Sequence, residues 1–324
     1  MRVSISCLTA VLLLTVLAAC DSTAPDAAAL APGTYVLVSV GGRALPALVE
    51  RTTEVCDSNP SRDYVWIVEA RGGTVVIEPD GRAEVTLDRM RVCENDREVR
   101  VPSRIVASGR SVSAGRLLLD NTTLSLSPAT TGNGGFTTTA SGAVLGPAAQ
   151  ELRFAPALPT ADPTGRWTGQ AIFELDTTYA YRTSPDVLRR QQLYRRFDLE
   201  FDLRTEGDSV LGTGRFVSYF ERITTIVQTG EVFVIGGRDV QQDDRTFDVS
   251  GTRENQILSL RMYGQGVLLD WRGHPVVLED GTLRTAFRNF EEGSYYASPS
   301  QDVTFTRTGA ITRPSPPSLA AETR

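Results

Sequence analysis

Alternation of apolar and polar residues is the feature that most constrains how this chain folds. Residues 197–203 read Phe-Asp-Leu-Glu-Phe-Asp-Leu, which puts apolar side chains on one face of a strand and carboxylates on the other. Asp-Gly pairs at positions 80–81 and 280–281 mark hairpin turns between further candidate strands. Strands recurring roughly every 8–12 residues are typical of antiparallel sandwiches and barrels. We therefore expect an all-β protein.

Only residues 184–194 favour a helix. Ser184 suits the N-cap, Pro185 suits the first helical position, and Asp186 would place a negative charge in the first turn. The sequence predicts one short helix here, inserted between strands.

Segments rich in proline and alanine divide the chain into two bodies. Residues 20–32 are predicted to be a flexible tether, residues 156–163 a linker, and residues 308–324 a disordered tail. The bodies between them, residues 33–155 and 164–307, each open with Gly-x-aromatic and close on a strand that contains phenylalanine. Pairing of the first and last strands would remove the sheet edges, so we expect two tandem antiparallel up-and-down barrels.

The N terminus resembles a bacterial lipoprotein signal. Arg2 supplies a positive charge, and the apolar run at 8–17 is shorter than the roughly 20 residues of a membrane-spanning helix. Leu17-Ala18-Ala19-Cys20 then matches the lipobox. The resemblance implies that residues 1–19 are a signal peptide. It also implies that Cys20 is lipidated and anchors the protein to a membrane of the bacterial cell envelope, on its extracytoplasmic (periplasmic or outer-membrane) side. An ordinary secretory signal cut after Ala19 is the alternative.

Cys56 and Cys93 are the cysteines that follow Cys20. In an oxidising compartment we expect them to form a disulfide, worth about 3–4 kcal/mol. A redox or zinc site is the alternative, but zinc would need two more ligands, and the single histidine, His274, lies in the other body. We expect neither a metal nor a cofactor.

The second body resembles the lipocalin-like, or calycin, barrels. Gly165-Arg166-Trp167 matches the opening strand of that family, and Arg307 matches the arginine that ends its last strand. The resemblance implies that the Arg307 guanidinium lies over the Trp167 indole and plugs the closed end of the barrel, a cation–ring contact. The first body departs from the pattern, because Tyr35 replaces the tryptophan and no arginine follows Phe154.

Candidate catalytic residues are few. Asp198, Glu200 and Asp202 share a strand face at a spacing that would suit glycoside hydrolysis, but the alternation of residues puts them in water. His274 lies in a predicted turn and is expected at the surface, and no Gly-x-Ser-x-Gly motif occurs. The aspartates within residues 239–244 do not match the calcium-loop spacing. We expect no enzymatic activity.

Arginines and tyrosines cluster around the predicted helix, where lipocalin-like barrels carry a lid over their open end. The candidate ligand-binding residues are Tyr179, Tyr181, Arg189, Arg190 and Tyr194. Such a set would bind an amphiphile with an anionic head, and a solvated helix face is the alternative. The leading hypothesis is non-catalytic binding of a small apolar or amphipathic ligand inside a barrel. The alternative is an interaction or scaffolding protein with filled barrels and an envelope protein as partner. A net charge of −6 disfavours nucleic acid.

Overall fold

The computed structural model describes residues 30–58, 63–93, 101–112, 116–119, 122–128, 134–142, 146–181, 184–228, 231–263, 274–287 and 301–309. Its regular elements are all β-strands, and no helix occurs in these ranges, so the all-β prediction is confirmed. The strands are β1 (Gly33–Val40), β2 (Ala47–Ser58), β3 (Asp63–Ile77), β4 (Arg82–Cys93), β5 (Val101–Val112), β6 (Arg116–Leu119), β7 (Thr122–Pro128), β8 (Phe136–Gly142), β9 (Gly146–Pro156), β10 (Gly165–Tyr181), β11 (Ser184–Glu206), β12 (Ser209–Gln228), β13 (Glu231–Glu254), β14 (Ile257–Tyr263), β15 (His274–Glu279), β16 (Thr282–Phe287) and β17 (Gln301–Gly309).

The first nine strands form one curled antiparallel sheet. Its order is β1-β9-β8-β7-β6-β5-β4-β3-β2, and β1 also pairs with β3, so that the sheet bends back on itself. Tyr35, Phe136 and Phe154 pack inside, with neighbouring ring centroids 5.2 and 5.1 Å apart. The predicted disulfide between Cys56 on β2 and Cys93 on β4 is confirmed.

The last eight strands form a closed antiparallel barrel, β10 to β17 in chain order. The barrel closes where β10 pairs with β17, with Gly169 opposite Phe305. Apolar residues of the 197–203 segment face the interior and are buried, whereas its three acids lie on the outer face at intermediate exposure. The period-two prediction for this segment is confirmed, and so is the turn between β15 and β16, where Asp280 and Gly281 both have positive φ.

The predicted helix at residues 184–194 is wrong, because these residues are the first half of β11. From Leu188 onward, the backbone of β11 pairs with both β10 and β12. Local signals at Ser184 and Pro185 favoured a helix start, but a strand between two partners gains hydrogen bonds from both of its neighbours. Tertiary pairing therefore overrides the local preference.

Strand lengths in the barrel are markedly unequal. Strands β10 to β13 contain 17, 23, 20 and 24 residues, whereas β14 to β17 contain 7, 6, 6 and 9. The long strands therefore continue beyond the barrel as a four-stranded antiparallel sheet. We call this sheet the extension; it comprises residues 172–181, 184–196, 219–228 and 231–242. Within the residues described, β14 to β17 do not pair with it.

The segment between the two sheets is held by Gln256, which is buried. Its side-chain Nε2 donates to the carbonyl of Pro156 at 3.0 Å, and its Oε1 accepts from the amide of Leu158 at 2.8 Å. One side chain therefore satisfies two backbone groups, which fixes the path of the chain into the barrel.

The sheets also touch directly. The amide of Ala286 donates to the carbonyl of Leu45 at 2.9 Å, and Val277 of β15 packs into the core of the first sheet. Arg153 of β9 forms a two-pronged ion pair with Glu279, and one of its hydrogen bonds measures 3.0 Å. A bidentate ion pair restricts the relative orientation of its two partners, so this pair helps to fix how the two sheets contact each other.

Candidate functional site

Aromatic side chains fill the interior of the barrel. The largest fully buried residues there are Trp167, Phe173, Phe197, Phe201, Phe216, Phe287 and Phe305. The Phe201 ring lies 5.0 Å from that of Phe305 and 5.8 Å from that of Phe247, between centroids. A Cβ built on Gly169 would lie 2.5 Å from Phe305, and one on Gly214 would lie 2.3 Å from Phe247. At these two positions the rings of Phe305 and Phe247 therefore pack directly against bare backbone, as in a close-packed protein interior.

The end of the barrel near the linker is covered by Trp167. Its side chain is 0% exposed, and its indole N–H donates to the carbonyl of Pro163 at 2.7 Å. The Arg307 guanidinium lies over the ring, with its Cζ atom 4.7 Å from the ring centroid, and donates to the carbonyl of Asp162 at 2.8 Å. The structure thus brings together the two residues to which the resemblance to lipocalin-like barrels gives the role of a plug.

The side chain of Asp162 also stabilises this end of the barrel. Its carboxylate accepts from the amide of Thr164 at 2.9 Å and from the hydroxyl of Thr205 at 3.3 Å. Partial burial acts to raise the pKa of this carboxyl, but the hydrogen bonds from Thr164 and Thr205 and the charge of Arg307 outweigh it, and the pKa is lowered. The folded protein therefore favours the ionised form of Asp162 at this end of the barrel.

The five candidate ligand-binding residues lie on the extension. The backbones of Tyr179 on β10 and Arg189 on β11 are direct cross-strand partners. The structure describes only the backbones of Tyr179, Tyr181 and Arg189. Arg190 is exposed, and Tyr194 is half-buried with its ring 6.0 Å from that of Tyr219. These residues therefore belong to a continuous sheet rather than to a helical lid.

One face of the extension exposes apolar and aromatic side chains. Ile172 is 38% exposed and Leu188 is 41% exposed. They share this face with Arg190, Tyr194 and Tyr219, because the strand register places all five on the same set of alternate positions. We call these five residues the extension patch. The charged residues Glu174, Arg196 and Glu221 lie between them on the same face. The sequence analysis did not identify Ile172 and Leu188, because these residues share a face only when residues 184–194 form a strand and not a helix.

Arg195 lies where the extension begins and covers the aromatic interior of the barrel from that side. It is 5% exposed, and its guanidinium lies 4.9 Å from the ring centroid of Phe197 and 5.5 Å from that of Phe220. An arginine held between two aromatic rings keeps its charge while its stem covers apolar surface. The sequence pattern gave no signal for this residue beyond its place in an arginine cluster.

His274 is buried, so the expectation of a surface histidine is wrong. It begins β15, its Nε2 lies 2.9 Å from the carbonyl of Ala286, and its ring stacks on Phe287 with centroids 6.0 Å apart. The Gly-His-Pro segment reads as a turn, but strand pairing with Leu260 draws the histidine inward. His274 thus packs in the interior as a hydrogen-bonded, stacked side chain.

The side chain of Asp239 lies outside the described part of the chain, and the other acidic residues considered for catalysis or calcium binding are paired with arginines. Asp243 pairs with Arg245 at 3.0 Å, and Asp244 pairs with Arg215 at 2.6 Å. Among the residues described, no group of three or more histidine, cysteine or acidic side chains is arranged to hold a metal. The hydrogen bond from Arg215 lowers the pKa of the Asp244 carboxyl, as expected for an ion pair.

No protein family, curated protein or solved structure matches this chain in the three comparisons made. In the part of the chain described above, no helix is long and apolar enough to cross a membrane.

Proposed function

We propose that this protein is a non-catalytic lipoprotein of the bacterial cell envelope that binds another envelope protein through the extension patch. The observation that carries the proposal is a barrel interior filled by its own aromatic rings, beside an extension that exposes apolar side chains. The lipobox at Leu17–Cys20 supports the location and the lipid anchor. The closed eight-stranded barrel, with Arg307 over Trp167, supports a lipocalin-like architecture for the second unit.

The filled interior argues against a carrier. Small-molecule sites occupy cavities of roughly 300–1,000 Å³, and a ligand in this barrel would first have to displace buried rings. Moving a single buried phenylalanine side chain into water costs roughly 1.5–3 kcal/mol before any ligand contact forms. Phe201 contacts two further rings, so that displacing it would disturb a connected cluster.

The extension patch has the composition of a protein interface. Tyrosine and arginine are enriched where proteins bind one another, and Tyr194, Tyr219 and Arg190 supply them here. Ile172 and Leu188 add aliphatic area at two well-separated points. Hydrogen-bonded pairing along β11 and β12 holds this face in place, which lowers the ordering cost of binding.

The test is site-specific photo-crosslinking in the native envelope. A photoreactive residue is placed at position 172, 188 or 118. Leu118 on β6 is 51% exposed, more than either patch position, and provides the control on the first sheet. We expect one discrete protein adduct from positions 172 and 188 and none from position 118. Adding Leu188→Asp should abolish the adduct formed from position 172. No adduct from either patch position, or equal adducts from all three, would contradict the proposal.

A carrier is the competing proposal. One observation favours it, namely that Tyr179 and Arg189, two candidate ligand-binding residues, are direct backbone partners on the extension. A carrier purified from its own envelope would contain a bound small molecule, whereas the interaction proposal predicts that the purified protein contains none. The two proposals are therefore separated by the contents of the native protein.

A further inference from the structure

A polar groove lies on the outer face of the barrel, below the extension. Its volume is about 460 Å³, within the range of small-molecule sites. Asp202, Thr213, Asp248 and Tyr263 line it as successive cross-strand partners on β11 to β14. Four adjacent strands at the usual spacing span about 14 Å, so this row is long enough to contact several linked units of an extended ligand.

Tyr263 presents a fixed aromatic ring to this groove. Its side chain is 47% exposed, and its phenol oxygen accepts hydrogen bonds from Ser250 at 3.4 Å and from Arg261 at 3.2 Å. The Arg261 guanidinium also lies over this ring, with its Cζ atom 5.8 Å from the centroid, so the exposed part of the ring is an apolar surface of defined orientation. The apolar face of a pyranose ring stacks on surfaces of this kind.

Two of the carboxylates in the groove are held in place by Arg166. Arg166 holds Asp202 with two hydrogen bonds, of 3.1 and 2.9 Å, and its Nε lies 3.1 Å from Glu200. Each carboxylate has about four acceptor positions, so both retain lone pairs for ligand hydroxyls. Asp248, directly opposite Tyr263, is exposed and adds a third acceptor. Acceptors that are held in place before binding lower its entropic cost.

The charge of the groove selects the ligand class. Three carboxylates line it, from Glu200, Asp202 and Asp248, against the single guanidinium of Arg215. That guanidinium is already bound by both oxygens of Asp244, at 2.9 and 2.6 Å. Arg166 in turn pairs with Asp202 and Glu200, so the excess negative charge of the groove rests on Asp248, and it disfavours phosphates and acidic sugars. We infer that the groove binds a neutral oligosaccharide, which stacks on Tyr263 and donates its hydroxyls to the carboxylates.

This site is independent of the extension patch and does not rest on the proposed function. Isothermal titration calorimetry of the full-length protein, in a detergent without a sugar headgroup, tests it with maltohexaose, cellohexaose and chitohexaose. Oligogalacturonate serves as the acidic comparison. We expect binding of at least one neutral oligosaccharide and weaker or no binding of the acidic one. Tyr263→Ala should weaken binding by about three- to tenfold, the value of one aromatic stack.

Two further variants separate recognition from folding. Asp248→Asn should weaken binding, because the carboxylate becomes a poorer acceptor. Asp198→Asn is the matched control, since Asp198 lies on the same outer face but outside the groove, bonded to Gln170 at 2.8 Å; it should bind as the unsubstituted protein does. Thermal melts check that all variants fold. Absence of binding by all three neutral probes at millimolar concentration overturns the inference. So does equal binding by the acidic probe, or binding that neither groove variant weakens.

Discussion

Replacement of Trp167 by alanine tests the packing of the barrel most sharply. The side chain is fully buried, donates a hydrogen bond of 2.7 Å to Pro163 and carries Arg307 on its ring. Removing a buried tryptophan costs about 3–5 kcal/mol through lost transfer energy and the cavity left behind. At about 2–4 °C per kcal/mol, the melting temperature should fall by about 6–20 °C. Trp167→Phe, which keeps a ring but loses the N–H donor, should cost about 1–3 kcal/mol.

The assay is urea unfolding followed by far-ultraviolet circular dichroism, combined with a double-mutant cycle. Arg307 is exposed, so its coupling to the indole should amount to about 0.5–1 kcal/mol. The cycle uses Trp167→Ala, Arg307→Ala and both together. A Trp167→Ala variant within about 0.5 kcal/mol of the unsubstituted protein, as for a surface substitution, would refute the burial of the ring. A coupling of zero would refute the contact between the ring and the guanidinium.

The remaining predictions concern the anchor, the disulfide, the linker and pH. Cys20→Ser should move the protein from the membrane to the soluble fraction on cell fractionation; retention in the membrane would contradict lipid anchoring. Cys56→Ser opens a loop with a sequence separation of 37 and should lower the free energy of unfolding by about 4 kcal/mol in urea titrations, whereas an unchanged midpoint would oppose this. Gln256→Leu leaves two linker groups unpaired and should cost about 1–3 kcal/mol for each group left buried, measured by calorimetry against the unsubstituted protein. The pKa of Asp162 in the folded state lies below its ordinary value of 3.8, so the stabilisation by its carboxylate is present above pH 3.8 and is lost as the pH falls through the folded pKa. Asp162→Asn should therefore reduce the loss of stability at acid pH. If the variant and the unsubstituted protein lose the same stability at acid pH, the hydrogen bonds of the Asp162 carboxylate do not stabilise the fold.

Local patterns predicted the parts of the fold that depend on neighbouring residues. The alternation in residues 197–203 specifies which side chains enter the barrel, since a strand with one buried face tolerates no slip of register. Asp280-Gly281 specifies a hairpin because both positions need positive φ, and the structure has 48° and 73° there. Cys56 and Cys93 were predicted as a pair because the presumed compartment is oxidising, and the strands β2 and β4 bring them together.

Three features that depend on distant strand partners were not predicted from the sequence. Ser184 and Pro185 carry helix signals, but β10 and β12 convert the segment into a strand by pairing on both sides. His274 looks like a turn residue until β14 and β16 enclose it. The extension patch was missed for the same reason, because Ile172 and Leu188 share a face only in the observed register. Strand lengths that differ around one barrel leave no periodic signal in the sequence.

Native mass spectrometry of the protein extracted from its own envelope tests the central claim most directly. If the aromatic rings of the chain occupy the barrel, the native mass should equal that of the lipidated polypeptide alone. The same mass should be found after denaturation. A stoichiometric small molecule that is present in the native spectrum and lost on denaturation would contradict the filled barrel and favour a carrier.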